Sequence, residues 1–415
     1  MVLNFVWLGF FLSAFAAAAW QLVQGDLAVF PRLLTAMFDA AKTGFEISIG
    51  LVGIMALWLG LMKIGERAGM IDAFARGVNP VFRHLFPGVP RGHPAQGAMT
   101  MNLSANLLGL DNAATPLGLK AMQELQSLND RPDTATNAQI MFLVLNTAGL
   151  TLIPTSVIAI RQTIAVKQGL VGFNAADIFL PTLIVTACGL LAALLAVAAV
   201  QRIALWRASL LLPLAGFGAL IGLLVVWLNQ LPPDQAARWM GVIGAGFILA
   251  VVALFLIAGA FRRVDVYAAF IDGARDGFGV AVQIIPYLVA MLVAIAVFRA
   301  AGLMDLVMGW IAAALAALGW PTDFLPALPV GLMKILSGSG ARGLMVDVMQ
   351  THGVDSFAGK LAAIIQGSTE TTLYVLAVYF GSVGVKYTRH ALACALLADF
   401  VGLVAAVAVG YAFFK

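Results

Sequence analysis

An internal repeat limits the folds open to this chain more than any other feature. FDAAKTGF at Phe38 to Phe45 matches IDGARDGF at Ile271 to Phe278, and ERAGMID ending at Asp72 matches RAAGLMD ending at Asp305. The spacing from Asp39 to Asp272 equals that from Asp72 to Asp305, so both anchors share one gapless register. In each copy there follow a polar segment interrupted by Pro and Gly, an apolar stretch carrying polar residues, and a final apolar run. Duplication predicts units over 38–200 and 271–415, preceded by a helix in 1–37 and joined by a helical pair in 201–270.

Those units belong in a bilayer. Hydrophobic residues make up 62% of the 415, and charged residues 11%, less than half the share of a soluble domain. A spanning helix needs about 20 mostly apolar residues. Suitable runs are Leu3–Trp20, Phe45–Met62, Ile140–Ile160, Ile178–Val200, Ser209–Leu228, Met240–Phe261, Val280–Phe298, Leu361–Val383 and Ala391–Phe414. Trp20, Trp206, Trp227 and Trp239 stand at run ends, where amphipathic rings meet headgroups. No Lys or Arg precedes Arg32, so the first run lacks the charged start of a signal peptide and is expected to be retained. Leu303 to Leu318 could span by composition, but its repeat partner Met70 to Phe86 reads as an interfacial amphipathic helix, and both are expected along the surface.

Loop charge orients the copies. Lys63, Arg67, Arg76, Arg83 and Arg91 follow the first core helix of copy one, while copy two has only Arg299 before Asp323. Under the positive-inside rule the first loop is cytoplasmic and the second external, so the copies are inverted and the N-terminus is inside. Arg161 and Lys167 fall in a loop that this scheme places outside. The expected fold is an all-α polytopic membrane protein of two inverted-topology repeats, with broken or re-entrant helices, about nine spans and additional interfacial helices.

The net charge of +4 is dispersed, which excludes a nucleic-acid footprint. Cys188 and Cys394 sit in apolar runs and His84, His93, His352 and His390 show no metal spacing, so no metal, cofactor or enzymatic chemistry is expected. The candidate residues lie in the interrupted segments, because polar backbone at membrane depth is tolerated only when it is buried in protein or lines a wet cavity. They are Asn102, Ser104, Asn106, Asp111, Asn112 and Thr115 in copy one, with Asn146 beyond them, and Ser337, Ser339, Arg342, Gln366, Ser368, Thr369 and Glu370 in copy two. Thr115-Pro116 reads as the cap and first turn of a returning helix, and SGSG at Ser337 to Gly340 as the matching break. The amides and hydroxyls could equally serve as interhelical glue, Lys334 could snorkel, and Lys120 and Asp347 could lie on solvated faces. Glu370 is expected to be buried and functional, with Arg342 or Lys120 as its partner if it is paired.

SANLLGLDNAATPLGLKAMQELQSLN (Ser104 to Asn129) resembles the spore maturation protein A family. LPVGLMKILSGSGARGLMVDVM (Leu328 to Met349) and IIQGSTETTLYVLAVYFGSVGVK (Ile364 to Lys386) resemble the B family. The whole looks like a fusion of the two, each half carrying a nucleoside-recognition (Gate) domain. The resemblance implies a polytopic inner-membrane protein of bacteria, related to the membrane part of ferrous-iron transporters and to concentrative nucleoside transporters. The functional expectation is a secondary transporter or exporter of a small polar solute (nucleoside-, amino-acid- or ion-like), with H+ or Na+ as coupling ion and self-association allowed. The alternative is a membrane scaffold in envelope or spore maturation that moves nothing.

Overall fold

The computed structural model describes the backbone of residues 2–107, 111–149 and 151–415; side chains at 2–4, 71, 74, 78–80, 83, 111–113, 208–209, 229, 233–234, 237 and 280–281 lie outside the described residues. No strand forms among these, and the chain is a succession of helices. These are α1 (Val2–Val23), α2 (Val29–Arg67), α3 (Met70–Leu85), α4 (Pro94–Leu107), α5 (Asp111–Gln126), α6 (Asn137–Thr147), α7 (Thr155–Lys167) and α8 (Phe179–Gln201). The linking pair is α9 (Ala208–Asn229) and α10 (Pro233–Phe261). Then come α11 (Val266–Ala300), α12 (Leu303–Ala317), a short 3-10 turn at Leu325–Ala327, α13 (Leu328–Leu336), α14 (Gly338–His352), α15 (Phe357–Ser368), α16 (Thr372–Ser382) and α17 (Ala391–Phe414). The order of α2 to α8 is repeated element for element by α11 to α17.

The crossing of α2 and α11 proves the inversion. Gly44 on α2 lies against Val289 of α11, and Gly277, its repeat counterpart, lies against Ala56, the counterpart of Val289. Exchanging the copies therefore maps the crossing onto itself, which requires two antiparallel helices and a two-fold axis perpendicular to both. For helices that cross a bilayer, that axis lies in the membrane plane. The α8 and α17 pair obeys the same rule: Gln201 meets His390 at one end, Gly189 faces Ala398 and Gly402 midway, and Leu180 packs with Phe413 at the other.

Among the described residues eight segments are long and apolar enough to span, one fewer than the runs suggest, and seven of them are unbroken helices, the eighth, Phe357–Ser382, being α15 and α16 taken together. The Ile140–Ile160 run is not one helix. α6 ends at Thr147 and α7 begins only at Thr155, with Gly149 and Pro154 between them, and Arg161 and Lys167 lie on α7 rather than in a loop. Leu361–Val383 breaks in the same way at 369–371, between α15 and α16. Pro116 lies inside α5, which already starts at Asp111, so Thr115-Pro116 is not a first turn; proline there withdraws one intrahelical N–H. Of α12 only Met304 is buried, and 15 residues at about 1.5 Å each are too short to cross.

Local chemistry sets the helix starts. Thr136 and Gln139 form a reciprocal capping box on α6, and Ser337, Ser356 and Asp265 accept backbone N–H groups at the starts of α14, α15 and α11. The packing then crosses the copies. α7 packs on α2 of its own copy and on α14 and α15 of copy two, while α16 packs on α5 and α6 of copy one and on α13 and α17 of its own. The second half-helix of each copy thus bridges both copies. The loops follow suit, because Lys386 and Tyr387 donate to the Asp133 carbonyl and Ala135 donates to that of Tyr387.

Candidate functional site

Four interrupted elements converge where the copies meet. α4–α5 and α13–α14 are hairpins of helices too short to span, and the α6–α7 and α15–α16 breaks approach each other closely enough for Glu370 N–H to donate to the Thr147 carbonyl at 2.9 Å. They enclose a cavity of about 190 Å³, lined by Asn106, Thr115, Asn146, Thr155, Lys334, Arg342, Gln366, Thr369, Glu370 and Tyr379 among others. Of the candidates drawn from the sequence, Asn106, Thr115, Asn146, Arg342, Gln366, Thr369 and Glu370 come together on this wall.

The two-fold organises the wall. Asn146 near the end of α6 and Gln366 near the end of α15 occupy matching places in their copies. Asn106 Nδ2 donates to Asn146 Oδ1 at 2.8 Å, while Gln366 Nε2 reaches the Gly338 carbonyl at 3.5 Å and its own carbonyl accepts from Lys334 Nζ at 3.0 Å. Lys334 does not snorkel; it is 8% exposed and turned into the protein. Gln366 Oε1 is buried with no hydrogen-bond partner. Close approach of the breaks depends on glycine, since a Cβ at Gly338 would stand 2.6 Å from Thr371 Oγ1, and one at Gly367 would press on Thr182 and Pro154 at 3.1 and 3.3 Å.

Other candidates stand elsewhere. Asn102 is fully buried behind the wall and ties the copies together, donating to the Ala114 carbonyl at 2.7 Å and to the Tyr379 hydroxyl at 3.4 Å. Ser104 is buried on α4 and Ser368 turns back onto the Ile365 carbonyl, so neither lines the cavity. Ser337 caps α14, and Ser339 follows in its first turn. Asp111 and Asn112 open α5, and their side chains lie outside the described residues. Lys120 is exposed, and Asp347 is paired with Arg299 instead of facing solvent. Glu370 is half-buried and forms no ion pair with Arg342, Lys120 or any other described residue.

One carboxylate escaped the sequence reading. Asp399, alone in the apolar run of α17, is 7% exposed; Thr372 Oγ1, at the start of α16, donates to its Oδ2 at 2.6 Å, and Oδ1 has no partner. Its signal was plain, an ionisable residue inside a spanning segment. The arrangement can bind rather than react. It offers both signs of charge, amides and hydroxyls, and it draws on the helix starts of α7, α14 and α16. No cluster of three His, Cys, Asp or Glu able to hold a metal exists among the described residues.

Comparison with known proteins agrees with this architecture. The chain is 42% identical over 173 residues to spore maturation protein B of Bacillus subtilis (strain 168), covering 94% of that protein and 42% of this chain. Over 132 residues it is 48% identical to spore maturation protein A of the same organism, covering 67% of that protein and 32% of this chain. Neither name is that of an enzyme. No solved structure matches. The Gate model, described as nucleoside recognition, matches residues 48–163 and 281–386, more than half the chain and one segment in each copy, and the protein belongs to that family.

Proposed function

We propose that this protein is a secondary transporter or exporter of a small polar solute in the bacterial cytoplasmic membrane. One observation carries the reading: a polar cavity lies where two hairpins and two broken helices, related by a two-fold in the membrane plane, meet. Inverted repeats with discontinuous helices place transporter sites at that point. A scaffold would need no such hollow, and a solid apolar centre would suit it better. The family description brings nucleosides into the candidate set, beside amino acids and ions. A ligand-stabilisation screen of the purified protein against those three classes, followed by proteoliposome uptake of each hit, tests the reading. Absence of any cavity-dependent stabilisation would leave the scaffold.

Glu370 is the proposed coupling group. A carboxylate at membrane depth with no ion-pair partner among the described residues is costly unless it binds a cation or gains a proton. Glu370→Gln is expected to leave the protein folded while removing about fivefold or more of the stimulation of uptake by a proton or sodium gradient. Uptake by the variant with unchanged pH and sodium dependence would exclude Glu370 from coupling.

The orientation also has a direct test. With Cys188 and Cys394 replaced, single cysteines at Arg76 and Gly309, both exposed and at matching places in the repeat, are expected to react with an impermeant maleimide from opposite faces of the membrane. Arg76→Cys should be protected in intact cells, because under the positive-inside rule the basic stretch from Lys63 on α2 to Arg91 lies inside together with the N-terminus. Labelling of both from one side would overturn this orientation.

A further inference from the structure

We propose that the protein holds one anionic phospholipid in a site of its own, away from the central cavity, formed by the ends of α3 and α8 and the starts of α4 and α9. A pocket of about 630 Å³ lies there, lined by His84, Arg91, Gln96, Gln201, Arg202 and Arg207 and by no acidic residue among those described. Arg91, Arg202 and Arg207 are exposed, and none makes an ion pair or side-chain hydrogen bond among the described residues. Three arginines held together without a counter-charge repel one another unless an anion joins them. Arg202 is held in place at some backbone cost, being left-handed at φ 56° where it ends α8.

The pocket opens into an apolar groove. Ile203 belongs to both, and the groove, between α8 and α9, shares Leu191, Leu194, Leu210 and Leu214 with an adjoining apolar pocket that reaches Phe217. Trp206 is 87% exposed at its mouth, the usual place for an indole at headgroup level. From Arg207 to Phe217 the helix rises about 15 Å, the depth of one leaflet's hydrocarbon. A soluble anion would use only the arginines and an uncharged hydrocarbon only the groove. A molecule with a phosphodiester at one end and an acyl chain at the other fills both, and cytoplasmic-leaflet anionic lipid supplies it where the positive-inside rule places these arginines. The groove ends at Asn106, which also lines the central cavity, so a bound chain would lie against the cavity wall.

The test uses the full chain in detergent with equal amounts of phosphatidylglycerol and phosphatidylcholine bearing identical chains, and mass spectrometry of the lipid retained after gel filtration. Wild type is expected to retain phosphatidylglycerol about tenfold over phosphatidylcholine. R91Q/R202Q/R207Q should bring the ratio to about one, and R91K/R202K/R207K should preserve it, at unchanged melting temperature. Leu214→Trp, filling the groove from a half-exposed position, should lower retention of both lipids. Equal retention by wild type, an unchanged ratio in the glutamine variant, or displacement of phosphatidylglycerol by millimolar inorganic phosphate with no dependence on the groove would overturn the proposal.

Discussion

Asp177→Asn is expected to destabilise the protein by about 3 kcal/mol, seen as a fall of about 5 °C or more in Tm in detergent. Arg161 on α7 has no exposed surface, and its guanidinium is paired with Asp177 and donates to the Ala175 carbonyl at 2.7 Å. The Phe173 ring lies 5.0 Å from it, while its Nε and second terminal nitrogen have no hydrogen-bond partner. The pair is therefore barely compensated as it stands, and among the described residues the carboxylate is the only anion paired with a fully desolvated cation. Removing the anion leaves the cation buried, the situation in which breaking a pair costs most. Lys360, which shares Asp177 at 3.4 Å, loses a partner as well but keeps Asp355 at 2.8 Å. Asp355→Asn provides the contrast. Asp355 is 59% exposed, so its loss should cost less than about 0.5 kcal/mol. Equal shifts for the two variants would mean that Arg161 is not desolvated as described.

Arg161 also marks where sequence reading stops. Loop charge treated it as an outside residue, because the positive-inside rule counts cations along the chain and cannot see one folded into a core. The repeat was legible through charged anchors such as Asp39, Asp72, Asp272 and Asp305, whose spacing survives where apolar residues interchange freely. The broken α6–α7 and α15–α16 elements were less legible. Hydropathy sums Leu, Ile and Ala across a break as readily as through a helix, and only Gly149, Pro154 and the polar run Gln366 to Glu370 hinted at the interruptions. The bridging of both copies by α7 and α16 was not legible at all. Ile160 or Phe380 carries no address, and burial with one copy or the other has nearly the same transfer free energy. For the cavity, polarity found Asn106, Asn146, Gln366 and Glu370, since a polar group in hydrocarbon needs a reason to be there. Asp399 satisfies the same criterion, standing alone among the apolar residues of its run.

The second large effect lies at the α2–α11 crossing. Gly277→Ala is expected to cost about 2 kcal/mol, because the added methyl would stand 2.6 Å from the Met55 carbonyl oxygen and 2.7 Å from the Ala56 Cα and N. Backbone atoms on a helix cannot move aside singly, so the two helices must separate along their contact. Gly44, its counterpart, meets Val289 at 3.1 Å through a side-chain methyl and at 3.2 Å through Cα, so Gly44→Ala should cost about half as much. Gly279→Ala has nothing within 4 Å and should be neutral or stabilising by about 0.5 kcal/mol, because alanine favours the helix. The order of the three melting temperatures checks the geometry without any assay of transport. If Gly277→Ala melts with Gly279→Ala, the close antiparallel approach is absent and the two-fold loses its best support. If the order holds, the same variant also tests the proposed transport function, in which rocking of one copy against the other would pass through this crossing. A helix pair wedged apart by one methyl should then lower the rate of solute exchange more than the affinity for solute.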